Sequence, residues 1–457
     1  MKILIKLFFI LSFSTIITVN INGETITYEG MKFNLNNGVA ELVKASEAYI
    51  PPSTIMIPDT IFYNSEAFPV TEIGDESMQN MNLNKLNIPN TIKKIGKNAF
   101  KNTTVRNLYI EDLSSWCNID FEFESWDGTS GNHYSSQACP IGSSTVLYVD
   151  NKKIESLVIP DDVQAIPAFA FNYLNCRKVD TGNGVKTIGE KAFINCMMEE
   201  VKLGENVELI AQEALAGCKN LKKLTLLKSP RYMDYKSFDD DNITEIYAPD
   251  AEVLAFLDIP WDFYHWKNTI FGEDCTLYIN GNEEPHIFIH ASADRLGNYA
   301  YNGISNVVSI ELEEGITSTG IFSFTFCNDL ESLIFPSTLE RVGSSFRDCP
   351  KLTSITVRSL VPPEPMDEIH TEFDYVGKDL KEQCTVYVPE ESLELYKTDW
   401  FWSQFNNIQP ISESGVESIT DENLQDKVIY DLQGRKVSGE NLAPGIYVID
   451  GKKTVIR

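Results

Sequence analysis

The residues best suited to chemistry are nine cysteines and five histidines. Four cysteines come in two like-spaced pairs, Cys196 with Cys218 and Cys327 with Cys349. No C-x-x-C or cysteine–histidine cluster accompanies them, so the nitrogen–sulfur donor set of a zinc centre is missing. An odd total leaves at least one cysteine unpaired or paired between chains. Two readings of the pairs remain, a disulfide between neighbouring chain turns or buried thiols packing as small hydrophobes. The second is preferred, because such a spacing recurs without any bond.

The stretch HIFIH (286–290) places two histidines four apart, as on a metalloprotease helix, but it lacks the glutamate that would activate water. Ile287 and Ile289 alternate with the period of a strand. In a strand the two histidines stand about 13 Å apart, four rises of ~3.3 Å, too far to share one ion. What remains is an outward row of His286, Phe288 and His290 that a ligand can touch. A polar stretch containing Thr129, Ser130, Asn132, His133 and Tyr134 suggests a binding loop; Trp116, Trp126 and Tyr134 are its candidate contacts.

Other clusters have plainer readings. Trp261, Phe263, Tyr264 and Trp266, and likewise Trp400, Phe401, Trp402 and Phe405, are read as covers for exposed core ends. Asp239, Asp240, Asp241 and Asn242 lack the alternating order of a calcium loop and read as a solvated charge run. No G-x-S-x-G, G-x-x-x-x-G-K-[ST] or H-E-x-x-H occurs. The expectation is therefore a protein that is not an enzyme, with no catalytic residue, cofactor or metal.

The element that positions all these residues is a repeat. Leu333, Phe335-Pro336, Leu339, Val342-Gly343, Phe346 and Cys349 match the offsets of Ile310, Leu312, Ile316, Gly320, Phe324 and Cys327. The same frame runs through 85–100, 156–171, 185–196 and 201–218. Its consensus is L-x-x-L-x-I-P-x-x-V-x-x-I-G-x-x-A-F-x-x-C. The L-x-I element alternates as a strand, proline ends it, glycine helps reverse the chain, and the Ala-Phe pair closes the coil. One such unit cannot bury its apolar face alone, so stacked copies must share a continuous core.

Charge and termini narrow the function. The 457 residues carry a formal charge of −28, which disfavours nucleic acid and anionic lipid as partners. Residues 1–23 show a basic start at Lys2 and Lys6, an apolar run from Ile3 to Val19 and a small residue at Gly23, which predicts a secretory signal peptide. The alternative is an uncleaved anchor helix. After signal removal no segment is long and apolar enough to span a membrane as a helix.

The I-P…I-G…A-F-x-x-C signature resembles the BspA-like leucine-rich-repeat family of bacterial surface proteins, over roughly residues 26 to 410. TYEGMKFNLNNGVAEL (27–42) resembles the family's N-terminal cap, and DLSSWCNIDFE (112–122) resembles an insertion that it often carries. VPEESLELYKTDWFWSQFNNI (388–408) resembles its closing segment, and so does EIYAPDAEVLAFLDIPWDF (245–263) in mid-chain. The tail KVIYDLQGRKVSGENLAPGIYVIDGKKTVIR (427–457) resembles the sorting domain of type IX (Por) secretion substrates. Its alternation and its turn signals Gln433-Gly434 and Asp450-Gly451 predict a small antiparallel β module.

The expected fold is a mainly β solenoid, a right-handed coil of about 22–23-residue leucine-rich repeats. The expected segments are a signal peptide (1–23), a cap with a divergent repeat (24–81), and repeats with an insertion at 112–150 (82–258). A cap-like segment with a divergent repeat (259–303), repeats with a closing cap (304–410), a linker (411–426) and the tail (427–457) follow. The resemblance implies a protein secreted or held at the outer surface of a bacterium, an adhesin that binds host protein, host cells or other bacteria through the concave strand face. Ser309, Glu311, Ser332 and Ile334, with His286, Phe288 and His290, are the candidate contacts. Lys85, Asn87, Ser156, Val158, Glu200, Lys202, Lys223, Thr225, Ser354 and Thr356 occupy matching outward positions. A carbohydrate-binding role resting on the tryptophans near 116–134 is the alternative, and a hydrolase the remote third.

Overall fold

The computed structural model describes residues 23–44, 53–123, 137–239, 241–260, 271, 274–343, 348–366 and 378–411. In the tail it describes the strands Glu417–Ser418, Ile429–Tyr430, Lys436–Val437, Gly445–Ile449 and Lys452–Ile456. The signal-peptide reading, Trp126, Tyr134 and the Trp261–Trp266 cluster therefore lie outside the described residues, as do Phe346 and both predicted tail turns.

The chain folds as a β solenoid of about 13 turns with repeats about 23 residues apart. Each L-x-I element is a short strand paired in parallel with the same element one turn away: Lys178 faces Glu200, and Glu200 faces Lys223. Alternation decides the two faces. Val201 and Leu203 point into the core while Glu200 and Lys202 point out. Parallel pairing of identical positions stacks like on like, so the inward leucines, isoleucines and valines form one core running along the coil.

The Ala-Phe pair and the cysteine close each turn from the other side. Phe171 and Phe193 stack with ring centroids 5.5 Å apart and planes 8° from parallel. All nine cysteines carry unbridged thiols and are buried. The ladder thiols also act as hydrogen-bond donors. Cys196 Sγ donates to the Phe171 carbonyl, Cys218 to Phe193, Cys327 to Tyr301 and Cys349 to Phe324. The carbonyls of Phe171, Phe193 and Tyr301 also accept a backbone N–H, from Leu174, Cys196 and Ile304, so the thiol there is a second donor to a buried oxygen. A small, weakly polar side chain suits that place better than leucine or serine. Burial pushes the thiols of Cys117, Cys139, Cys176, Cys275 and Cys384 up to about 12, through loss of water around the thiolate.

Glycine in the I-G element serves a different purpose from chain reversal. A Cβ on Gly320 would lie 2.1 Å from the Gly297 carbonyl oxygen, and one on Gly343 would lie 2.1 Å from that of Gly320. Glycine stacks on glycine because adjacent backbones approach there more closely than any side chain permits.

The solvent-facing strands form three successive ladders. The first holds Thr54–Met56, Asn82–Ile88, Thr104–Ile110 and Val146–Val149 in parallel. The middle one runs from Ser156–Val158 to Thr276–Ile279, and the C-terminal one from His286–Ile289 to Asn407–Pro410. Antiparallel hairpins end the first two, through Lys152–Lys153 and Asn282–Glu283. Asp150 and Asn151, then Asn280 and Gly281, all adopt positive φ, as a two-residue hairpin turn demands. The hairpin strand occupies the hydrogen-bonding edge on which the next rung would sit, and so separates the ladders.

The ends differ from the repeats. The N-terminal cap folds as antiparallel strands Glu24–Tyr28, Met31–Asn36 and Val39–Val43. At the other end Phe401, Trp402 and Phe405 are buried, and Trp402 Nε1 donates to the Pro363 carbonyl at 2.9 Å. These three cover the core end, whereas Trp400 is 60% exposed and meets Phe401 edge-on at 6.1 Å from the solvent side. The tail strands pair antiparallel, except that Glu417–Ser418, within the expected linker, pairs parallel with Lys452–Ile456. The tail sheet is therefore mixed. Among the described residues no helix is long and apolar enough to cross a membrane.

Candidate ligand-binding face

The C-terminal ladder brings all seven strand candidates onto one surface. His286 pairs with Ser309, and Ser309 with Ser332; Phe288 pairs with Glu311, and Glu311 with Ile334. The rows continue beyond the residues that the sequence singles out. The first runs on through Ser354 and Thr385 to Asn407, and the second through Thr356 and Tyr387 to Gln409. The inward neighbours Ile287 and Ile289 are buried, which fixes His286 and Phe288 outward.

The first row is made of small hydrogen-bonding groups with a histidine at its head. Nδ1 of His286 lies 2.8 Å from Ser309 Oγ, and Asn407 Nδ2 donates to Thr385 Oγ1 at 2.6 Å. The second row mixes an apolar lead with polar and aromatic groups. Phe288 is 43% exposed and meets the His290 ring edge-on at 5.0 Å. His290 Nδ1 stands 3.6 Å from Glu313 Oε2, while its backbone N–H donates to Glu252 Oε1. Sequence reasoning misses Arg358, which ion-pairs with Glu311 at 2.9 Å across two rungs. It follows the strand Ser354–Val357, outside the repeating L-x-I element, where no periodicity marks it.

Glu314 is held below the usual carboxylate range. Partial burial acts upward on it, but hydrogen bonds from the Ser337 N–H and hydroxyl outweigh that. A fixed negative charge therefore flanks the face. Among the described residues no three His, Cys, Asp or Glu side chains come together as a metal site.

Trp116 is a correction. It is 1% exposed, packs edge-on against Phe121 at 5.2 Å, and donates its indole N–H to the Ala170 carbonyl at 3.0 Å. A tryptophan in a polar stretch resembles a ligand contact, but this one lies in the helix Leu113–Cys117, whose other buried residues are Leu113 and Cys117. It anchors the insertion to the core and is lost as a contact. The outward positions of the middle ladder are mutually engaged: Lys178 with Glu200 at 2.8 Å and Lys202 with Asp180 at 2.9 Å.

The family profile described as BspA type Leucine rich repeat region matches in six copies, over residues 36–122, 145–255 and 280–363. The chain belongs to the BspA-type leucine-rich-repeat family. Solved structures similar to this BspA-type chain include a leucine rich cell surface protein from Faecalibacterium prausnitzii: 18% identity, 86% of this chain, 96% of that one, TM-score 0.38. A leucine-rich repeat protein from Bacteroides ovatus is 16% identical, covering 85% and 100% of the two chains, with a TM-score of 0.40. The pneumococcal vaccine antigen PcpA is also 16% identical, covering 86% and 99%, with a TM-score of 0.36. A search of curated proteins gave no match.

Proposed function

We propose that this BspA-type protein is exported, stays at the bacterial surface and acts as an adhesin. It would bind an extracellular protein or a cell surface through the outward face of the C-terminal ladder. The observation that supports this is the row of small hydrogen-bonding groups from Ser309 to Asn407 beside exposed Phe288 and half-buried Ile334. Hydroxyls both donate and accept, so they adapt to a partner, and a neighbouring apolar side chain supplies area. Repeat solenoids use such extended strand faces for macromolecular partners. The reading is of a binding protein and not an enzyme. Trp116, being buried, gives no support to a carbohydrate role.

The test is a solid-phase screen of the full chain against matrix proteins, mucins and whole cells, repeated with Phe288→Ala and Ser332→Arg. The reading expects saturable binding that both changes weaken, with the melting temperature unmoved. Binding indifferent to both changes would place the contact surface elsewhere.

A further inference from the structure

Two places on the solvent face repeat each other at matching positions of the leucine-rich unit. Both lie where a hairpin ends a ladder. At the first, the Tyr109 and Tyr148 rings stack with centroids 4.4 Å apart and planes 8° from parallel. At the second, Tyr247 and Tyr278 stack at 4.6 Å and 13°. Lys85 Nζ sits 4.2 Å over the Tyr109 ring, and Lys223 Nζ sits 3.8 Å over Tyr247. All four tyrosines are half-buried on outward strand positions. The rung after each hairpin carries an exposed apolar residue at its third position, Val158 at 59% and Phe288 at 43%.

Ring pairs elsewhere in the coil, such as Phe171 with Phe193, serve the core. These two stand on the water side. The lysine and the stacking partner fix ring orientation before any ligand arrives, which lowers the ordering cost of binding. Each ring covers one face of its partner and the lysine covers the other face of Tyr109 or Tyr247, which leaves the outer face of Tyr148 or Tyr278. Such a face, with a hydroxyl at its rim, suits a pyranose, whose C–H face is apolar and whose edge is polar.

The two places differ in charge. Directly opposed residues of an antiparallel pair project from the same face with Cβ atoms ~5 Å apart. Tyr148 opposes Lys153, whereas Tyr278 opposes Glu283. Lys153 thus shares a face with Tyr148, while Lys85 lies at the other end of the stack, over Tyr109. The second has Lys223 on one side, Glu283 on the other, and Glu245, which accepts the Tyr247 hydroxyl at 3.0 Å. In a chain of net charge −28, a lysine beside an open ring face is the exception that an anion would seek. Salt screens the remaining field beyond a Debye length of ~8 Å, so the local sign governs.

We propose that the outer face of Tyr148, backed by Tyr109 and beside Lys153, is a subsite for a carboxylate-bearing pyranose, and that Glu283 bars the same sugar from the matching face of Tyr278. The Tyr148 ring holds the sugar face, Tyr109 keeps that ring in place, and the Lys153 ammonium pairs with the carboxylate. This goes beyond the surface-binding reading, on a different ladder and with a named ligand class. It uses residues distant in sequence from Phe288 and Ser332, so the two proposals can fail separately.

The experiment is equilibrium binding of sialyllactose and of lactose to the full chain, by calorimetry and saturation-transfer NMR. Sialyllactose should bind with a stoichiometry of one, and lactose at least about tenfold more weakly, the size of one charge-assisted hydrogen bond. Lys153→Glu should weaken sialyllactose by a similar factor at an unchanged melting temperature. Glu283→Lys should raise the stoichiometry to two. Tyr148→Ala should abolish binding; if that variant does not fold, Lys153→Glu alone decides. Phe288→Ala and Ser332→Arg should leave sialyllactose binding intact. No binding of either sugar, equal binding of both, or indifference to Lys153→Glu would overturn the proposal.

Discussion

The middle and C-terminal ladders share one backbone and differ in what they present to water. In the middle ladder the outward residues alternate in sign along and across the rungs: Lys178 meets Glu200, Lys202 meets Asp180, and Arg177 meets Glu199 at 2.8 Å. In the C-terminal ladder the same positions hold Ser309, Ser332, Ser354 and Thr385. A matched charge lattice is already satisfied, and a partner landing on it must desolvate ions for little return. Hydroxyls can exchange water for a partner at lower cost. Two faces of one coil can thus be specialised without altering the fold, since outward positions contribute little to the core.

Removing what the ladders share should have the largest effect. Gly189→Ala in the middle ladder puts a Cβ 2.6 Å from the Ala168 backbone nitrogen, and Gly320→Ala in the C-terminal ladder puts one 2.1 Å from the Gly297 carbonyl oxygen. Each should cost about 1–3 kcal/mol or more, as overpacking does. Thermal unfolding followed by circular dichroism should show similar losses for both. Unequal losses would mean that the two halves do not share the same backbone stacking.

Next comes an alkaline limit common to both regions. Burial raises the thiols of Cys176 in the middle ladder and of Cys384 before the C-terminal strand Thr385–Val388 from 9.0 to about 12. The folded state holds these protons more tightly than the unfolded state does. Their contribution is therefore complete below pH 9 and is lost as pH rises toward 12, by about 1.4 kcal/mol per pH unit for each thiol. The melting temperature should fall over that window, and less steeply in Cys176→Ala measured against its own value at neutral pH. In the native protein at pH 8 a thiol reagent should label none of the nine cysteines until denaturant is added. Prompt labelling would contradict their burial.

The smallest effect should come from the charge lattice itself. Lys202→Ala removes a solvent-exposed ion pair, and such pairs are worth about 0–1 kcal/mol. Urea unfolding should show that modest change at low salt and less at high salt. A loss of several kcal/mol would mean that the lattice is structural and that the two faces differ in more than availability.

Much of the architecture is legible in the sequence because its cause is local. Leu333 and Phe335 alternate with Ser332 and Ile334, and the same alternation recurs turn after turn, so strands, faces and stacking follow from periodicity. The seven strand candidates lie together for the same reason. The rest depends on contacts between distant residues. Nothing near Trp116 in the chain announces that Ala170, 54 residues away, accepts its indole N–H. Arg358 reaches Glu311 across 47 residues, and no period places it there. The hairpins do carry a local signal, Asn280-Gly281, but the repeat frame draws attention to the strands on either side. The glycine of the I-G element reads in sequence as a turn residue, since spacing along the chain does not reveal how closely two backbones approach.

The most direct test of the central claim compares the two ladders in one assay. Adherence of the full chain to cultured epithelial cells would be measured for wild type, Ser332→Arg and Lys202→Glu, each with its melting temperature. The account predicts that Ser332→Arg abolishes adherence while Lys202→Glu leaves it near wild type, with all three equally folded. Loss of adherence through Lys202→Glu, with Ser332→Arg unaffected, would contradict it.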